Sequence, residues 1–415
     1  MKYAIIAIGD ELLAGQVTDT NSGTISRMLQ PAGWELHSVR VVSDSPEHIL
    51  RAISEAFAET DAVITTGGLG PTKDDLTKQT LCRYFGGELR EDPSVKANVE
   101  RVVSARGLKL NALTAAQAMV PTSCSVIQNL VGTAPIMWFE RDGKVLVAMP
   151  GVPFETEQMM RRSVMARLID RFPSTEFIER RVVMVCGMSE SAIAGMIAPW
   201  EDSLPQHAHL AYLPKPGVVR LRIDCHHHDK DFLTGEATRL HAELARLIPA
   251  DHLLAVTDLT PEEILLNELR QRGLSFASAE SCTGGSIARR ITAIPGSSSA
   301  FKGSVVAYAN EVKSAVLGVN AEDIAAHGAV SQTVVEQMAA GARDRLGADI
   351  AVATSGIAGP GGGSDDKPVG TVWIATATPE GVHSCMHHFP GSRDRVIDRA
   401  ATTAILSAIE SLRRL

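Results

Sequence analysis

Aromatic residues make up only 4% of this 415-residue chain, so its cores must be built from Ala, Val, Ile and Leu. That bias suits layered α/β domains, whose buried strands run in small and branched apolar residues. Cysteine is sparse as well. Six residues (Cys82, Cys124, Cys186, Cys225, Cys282, Cys385) lie scattered with no C-x-x-C pair, which argues against a disulfide framework and a zinc knuckle. No stretch approaches the roughly 18 apolar residues of a membrane-spanning helix. The opening MKYAIIAIGDELL lacks the basic segment and cleavage site of a secretory leader, so a cytoplasmic protein is expected. Positive charge is also short. With 40 Lys and Arg against 48 Asp and Glu, the net charge is −8, and a general nucleic-acid-binding surface is not expected.

What the chain does hold is ordinary globular material, 45% apolar and 21% charged, with a mean hydropathy of +0.04. Its length exceeds one typical core, so two or three domains are expected. Residues 1-172 alternate strand and helix patterns. YAIIAIGDELL reads as a buried strand ending at Gly9, HSVRVVSD as a second and TDAVITTGGLG as a third, with PEHILRAISEAFAE helical between them. This predicts βαβ units and a mostly parallel sheet. Ser45 and Pro46 offer an N-cap and a first-turn proline, and Arg141-Asp142-Gly143 offers a hairpin turn between APIMWFE and KVLVAMPG. Residues 173-255 read as a small α+β module. Its Cys225-to-Asp229 run, CHHHD, has metal-binding residue types, but successive strand positions face opposite sides, so a solvated strand end is the better reading. A capping box, Thr260-Pro261-Glu262-Glu263, opens residues 256-415, and Gly273 stops that helix. Further βα alternation follows through LSFASAE, KGSVVAYAN, ADIAVATSGIAG and GTVWIATATP.

Two stretches carry chemistry. In the first, Thr66-Gly67-Gly68-Leu69-Gly70-Pro71-Thr72 joins the third strand to a helix. Glycines there let backbone N–H groups approach a phosphate, and a helix terminus adds a favourable dipole. The loop is neither a Walker A sequence nor a complete G-x-G-x-x-G, so neither of those sites is indicated. Glu11, Asp44 and Asp75 fall just beyond predicted strands, where ligands of open α/β sheets collect. Carboxylates beside a phosphate loop would repel the substrate unless a divalent cation lies between them. Asp44 and Asp75 would equally suit helix caps. Lys73 could add charge for a leaving phosphate or simply face solvent.

In the second, Ala277 to Gly285 reads ASAESCTGG and places Ser281 and Cys282 at a strand-to-helix turn. Free N–H groups at such a turn can stabilise an oxyanion. A serine nucleophile needs a base, and no His follows in a triad pattern. Tyr308 and Lys313 in YANEVK supply a Ser-Lys arrangement if Lys313 is desolvated enough to be neutral. Cys282 is a rival, because a helix N-terminus lowers a thiol's pKa. Ser281 as a cap, Tyr308 as a core residue and Lys313 as a solvated residue also stay open, and Glu280 receives no role.

As sets, these motifs resemble known families. GDELLAGQVTDTN, VVSD and TTGGLGPTKDD resemble the molybdopterin-binding fold of the MoaB/MogA and gephyrin families, above all its branch at the N-terminus of the CinA family. That resemblance implies an α/β, three-layer domain over 1-172 with Gly67, Gly68, Gly70 and Thr72 on the ligand and Asp44 and Asp75 in the active site. It implies a divalent metal ion, of unknown identity, held by Glu11, Asp44 and Asp75, and cleavage of ADP-ribose to AMP and ribose 5-phosphate. AESCTGG, PGSSSAFKGSVVAYANEVK, HGAVS, SGIAGPGGG and KPVGTVW are similar to the CinA C-terminal domain, the nicotinamide mononucleotide (NMN) deamidase family. Over 256-415 this implies an α/β deamidase domain that needs no cofactor and hydrolyses NMN to nicotinic acid mononucleotide and ammonia. Ser281 would be its nucleophile, with Tyr308 and Lys313 beside it. The turn Thr283, Gly284 and Gly285 would cradle the oxyanion, and Ser298, Thr354, Ser355, Gly356 and Arg393 would bind substrate, with Arg395 a second phosphate candidate. Residues 173-255 resemble the family's KH-type connector. The resemblance further implies a homodimer acting on the small nucleotides NMN and ADP-ribose, with no membrane partner. The alternative is a regulatory or molybdopterin-binding protein with a vestigial N-terminal site.

Overall fold

A computed structural model describes residues 1–72, 75–174 and 176–415; Lys73 lies outside them. The chain divides into two compact units, Met1–Glu179 with Cys225–Glu236, and Arg180–Asp224 with Ala237–Leu415.

In the first unit β1 (Lys2–Ile8) pairs in parallel with both β2 (Glu35–Val42) and β3 (Ala62–Thr66). A separate ribbon follows, β4 (Leu89–Glu91) against β5 (Met119–Pro121). Then β6 (Ser125–Ile127), β7 (Ile136–Arg141) and β8 (Lys144–Met149) complete a six-stranded sheet of order β2-β1-β3-β8-β7-β6, in which β7 alone runs against the other five. Alternate residues of β1 feed two cores. Tyr3 and Ile5 pack with Ile25, Leu29 and Trp34, while Ala4, Ile6 and Ile8 pack with Ile49, Ile53 and Leu81. Burial on both faces is what a helix–sheet–helix sandwich requires. The register aligns Ile8 with Val42 and Thr66 with Met149, so Gly9, Gly67 and Pro150 all leave the sheet at one edge.

The Arg141–Gly143 turn forms at Asp142 (φ 51°) and Gly143 (φ 78°), the two left-handed positions of a tight hairpin. Ser45 does stand at the N-cap of helix Pro46–Glu59, but its hydroxyl makes no cap hydrogen bond.

The middle strands β9 (Phe177–Cys186), β10 (Ala208–Lys215), β11 (Val218–His227) and β12 (Leu253–Ala255) form a sheet of order β10-β11-β9-β12. Val182, Met184, Val218 and Leu254 share one apolar core with Ile264, Leu265 and Leu269. That common core explains why most of the middle module belongs to the same compact unit as the C-terminal residues. In the CHHHD run Cys225 is buried and His226 exposed, as strand alternation requires. Among the described residues no group of three His, Cys, Asp or Glu is placed to hold a metal ion.

The C-terminal sheet contains β13 (Phe276–Glu280), β14 (Phe301–Val306), β15 (Ile350–Gly356), β16 (Thr371–Thr378) and β17 (Gly381–His388) in the order β14-β13-β15-β16-β17. The first three are parallel, β16 runs against them, and β17, antiparallel to β16, returns to their direction. The capping box is present: Glu263 N donates to Thr260 Oγ1 at 3.3 Å, and Thr260 N to Glu263 Oε2 at 2.7 Å. Helix Pro261–Arg272 then ends at left-handed Gly273. The edge strand β17 and the long helix Arg393–Arg414 are additions to the sequence reading.

Candidate active sites

At the edge where β1, β3 and β8 end, a cavity of about 460 Å³ is lined by Glu11, Asp44, Gly67, Gly68, Gly70 and Asp75. Two of the glycines are sterically required. A Cβ on Gly67 (φ +101°) would lie 2.1 Å from the Ile8 carbonyl oxygen, and one on Gly68 (φ +62°) 2.0 Å from Thr77 Oγ1. Thr72 does not line the cavity. It holds Asp75 instead: Asp75 Oδ1 accepts from Gly70 N at 2.8 Å, and Oδ2 accepts from Thr72 N at 2.9 Å and from the Thr72 hydroxyl. Gly67 N donates to the Met149 carbonyl at 3.1 Å, which leaves the Gly68 and Leu69 amides as the free donors of the loop.

Asp44 Oδ2 accepts from Asp10 N at 3.0 Å. Burial raises the Asp44 pKa, and the charges of Asp10, Glu11 and Asp75 push the same way. A carboxylate crowded by like charges is relieved by a cation, and oxygen donors of this kind suit a hard divalent ion that keeps several waters. These donors suit the expected metal by chemical type, but as they stand no three of them are placed to hold it. Sequence reasoning missed Gln117. Its side chain, 1% exposed, donates from Nε2 to the Leu69 carbonyl at 2.9 Å, and Lys78 Nζ donates to the Gln117 carbonyl at 3.1 Å.

In the C-terminal sheet β13 ends beside β15, and Ser281 N donates to the Thr354 carbonyl at 3.0 Å. This fixes Ser281 at the mouth of a cavity of about 190 Å³ that it shares with Tyr308, Asn310, Lys313, Ser355 and Arg393. Gly356 lines it as well. Lys313 is not a solvated residue. It is 1% exposed, and its Nζ donates to the carbonyls of Ala307 (2.9 Å) and Tyr308 (3.1 Å). Burial holds its pKa below the ordinary lysine range. Tyr308 is not a core residue either; it is 63% exposed, and its hydroxyl accepts from Arg393 Nη2 at 3.1 Å. Arg393 Nη1 donates to the Gly359 carbonyl at 2.7 Å, and Ser355 Oγ to that of Ala329 at 2.6 Å. Ser298 is exposed on a short 3₁₀ turn, and neither it nor Arg395 lines the cavity.

The turn works differently from the sequence reading. Glu280, fully buried, accepts at Oε2 from Gly285 N and Ile287 N (both 3.0 Å) and from the Thr283 hydroxyl (2.9 Å), and at Oε1 from Ala288 N (2.9 Å). Thr283 in turn pairs with Thr354 Oγ1 at 2.7 Å. Gly284 N donates back to the Ser281 carbonyl at 3.1 Å. The Gly284 and Gly285 amides are thus occupied and do not form the oxyanion cradle. The free amides nearest the nucleophile are those of Cys282 and Thr283. Ser281 does not cap the helix, because Glu280 does. Burial pushes the Cys282 thiol up to about 12, the reverse of what an activated thiolate needs.

Three family models match the chain. The CinA C-terminal domain covers residues 258–412, the damage-inducible protein CinA KH domain 180–249, and a probable molybdopterin binding domain 4–170. A CinA-like protein of Flavobacterium psychrophilum is 41% identical over 98% of this chain and 97% of its own length. One from Cytophaga hutchinsonii is also 41% identical, over 98% and 96%. The chain belongs to the CinA family. Among solved structures, a competence-damaged protein (CinA) superfamily protein from Klebsiella pneumoniae is 36% identical and covers 38% of this chain and 100% of that one, at a TM-score of 0.36. The CinA architecture expected from sequence is therefore present: a MoaB/MogA-like N-terminal domain, a KH-type middle module and the CinA C-terminal domain. Among the described residues of this CinA chain no helix is long and apolar enough to cross a membrane.

Proposed function

We propose that this CinA-family chain is a two-site hydrolase acting on breakdown products of pyridine nucleotides. The C-terminal site would convert NMN to nicotinic acid mononucleotide and ammonia, and the N-terminal site would cleave ADP-ribose to AMP and ribose 5-phosphate. The observation that carries the reading is a buried lysine sharing a cavity with a serine at a strand-to-helix turn.

A neutral Lys313 amine has two N–H groups, both engaged by the Ala307 and Tyr308 carbonyls, and so keeps its lone pair for a proton. Ser281 Oγ attacks the carboxamide carbon of NMN while Lys313 Nζ takes the hydroxyl proton, then gives it to the departing ammonia. Water gives a proton to the same amine and attacks the acyl carbon; the Ser281 Oγ–acyl bond breaks, the serine oxygen recovers that proton from Lys313, and the product leaves as the carboxylate. The Cys282 and Thr283 amides stabilise the oxyanion. Because the Tyr308 hydroxyl accepts from Arg393, its own proton is available for relay within the cavity. The guanidinium of Arg393 would also take the substrate phosphate. No hydrogen bond joins Ser281 to Lys313 in the structure, and bound substrate would draw them together.

In the N-terminal cavity a divalent ion would neutralise the pyrophosphate and acidify a water. Glu11, Asp44 and Asp75 would hold that ion, and the Gly68 and Leu69 amides would orient phosphate oxygens. A ligand-binding role without hydrolysis draws support from Asp75, which already ties both of its oxygens to the loop.

The test measures ammonia release from NMN by wild type, Ser281→Ala and Cys282→Ala, alongside ADP-ribose cleavage with added divalent metals. Ser281→Ala should abolish ammonia release and Cys282→Ala should keep most of it; the opposite outcome overturns the assignment. Mass spectrometry of ligand retained through purification distinguishes ADP-ribose from a molybdopterin at the N-terminal site.

A further inference from the structure

The unit comprising Arg180–Asp224 and Ala237–Leu415 contains a second cavity, of about 560 Å³ against about 190 Å³ for the one at Ser281. Neither proposed reaction uses it. Its volume falls within the few hundred Å³ typical of small-molecule sites. Met184 (2% exposed) and Val218 (5%) contribute a dry apolar surface, with Pro216, Leu259 and Pro261 beside them.

The charged lining is unbalanced. Three carboxylates face the cavity against four basic side chains, and each carboxylate is already paired with one of two arginines. Arg220 pairs with Asp258, and Arg290 reaches Glu262 at 2.5 Å and Asp398 at 3.5 Å while also donating to Thr402 Oγ1 at 2.9 Å. Lys215 and Arg289 line the same cavity with no side-chain partner among the described residues. In addition, the Arg220 Nε–H is buried and has no acceptor. A buried N–H left unpaired is costly, so an acceptor arriving there gains more than one arriving at an exposed group.

An occupant must then supply anionic oxygens to Lys215, Arg289 and Arg220 Nε, and a flat or apolar part to the Met184 and Val218 surface. A cation would meet surplus positive charge. An inorganic anion would leave the apolar surface uncovered. We propose that this cavity binds an organic phosphate of mononucleotide size, a phosphoryl group on a sugar bearing an aromatic ring, at a site separate from the Ser281 cavity. The binding is independent of whether either hydrolytic reading holds.

The experiment is calorimetric titration of the full chain with AMP, and separately with ribose 5-phosphate and with inorganic phosphate. Lys215→Glu/Arg289→Glu is compared with wild type, and Ser281→Ala and Asp44→Ala serve as controls for AMP entering the other two cavities. The expected result is a binding event for AMP that both controls retain, that the double variant loses by at least tenfold, and that weakens as salt is raised. Ribose 5-phosphate should bind more weakly than AMP, and inorganic phosphate weakest of all. Should charge reversal perturb the fold, seen as a shifted urea midpoint, Lys215→Ala/Arg289→Ala replaces it with the same expectation. An AMP isotherm unchanged by these pairs, or one lost in a control instead, overturns the proposal, as does inorganic phosphate binding as tightly as AMP.

Discussion

Replacing Glu280 tests whether the turn at Ser281 is held by a single carboxylate. Every group around that carboxylate is a donor: three backbone N–H groups at 2.9–3.0 Å and the Thr283 hydroxyl, with the Ser278 and Ser304 hydroxyls at 3.3 Å. Glu280→Ala would strand three N–H groups, of which that of Ile287 is buried and those of Gly285 and Ala288 are partly reachable by water. A stranded buried donor costs about 1–3 kcal/mol, and a partly hydrated one less, so the helix start should lose about 3 kcal/mol. Glu280→Gln is milder. Its amide NH₂ can accept from nothing, but the hydroxyls can rotate to receive its protons, leaving about one N–H facing a donor at a cost of about 1–2 kcal/mol. Hydrogen exchange at residues 285–288 is the direct assay, because 3 kcal/mol corresponds to about a hundredfold in the local opening equilibrium. NMN deamidation should fall chiefly in kcat, since the carboxylate positions Ser281 without facing the cavity. Unchanged exchange at 285–288 in Glu280→Ala would refute the account of how this turn is built.

Three further outcomes follow from the same geometry. Lys313→Met should abolish deamidation, while its effect on stability should depend on pH. The folded pKa lies below the unfolded 10.5, so burial of the charged amine opposes folding at neutral pH and that penalty vanishes as pH rises through 10.5, whereas the Ala307 and Tyr308 carbonyls stranded by Met cost the variant at every pH; the urea midpoint of wild type should therefore rise relative to that of the variant on going to alkali. For the same reason wild-type kcat/KM for NMN should climb with pH through the lowered lysine pKa. Gly67→Ala should lose at least about 2 kcal/mol in urea unfolding, because its Cβ would sit 2.1 Å from a backbone oxygen, whereas Gly284→Ala, with nothing within 4 Å, should lose about 1 kcal/mol from its φ of +58° alone. Asp44→Asn should weaken Mn²⁺ binding, read by paramagnetic resonance, by at least tenfold; equal binding would remove the carboxylates from any metal site.

The division between what could and could not be read from the chain follows sequence distance. β1 and β3 were legible because a strand buried on both faces reads as a largely apolar run ending where its glycine turn begins, and β13, although it carries buried Ser278 and Glu280, because its small and apolar residues lead into a turn of the same kind; the sites sit at those ends. The β17 strand, GVHSCMHH, was not, because an exposed edge strand needs no apolar alternation and its histidines read as loop. Asp92 caps the helix that opens at Pro93, its carboxylate accepting from Ser94 N and Val95 N, yet nothing local says that the ribbon beyond it will carry Gln117 to Leu69, 48 residues away. The roles at ASAESCTGG were undecidable for a related reason. Ser281, Cys282 and Glu280 are equally reactive on paper and all three are buried, so what separates them is the company each keeps: dry surroundings push the thiol up to about 12 and lower Lys313, and the turn's otherwise unpaired amides converge on the Glu280 carboxylate. One desolvated corner of the sheet thus selects against the cysteine, favours a neutral lysine and gives Glu280 its role, so a substitution that lets water into it should disturb all three together.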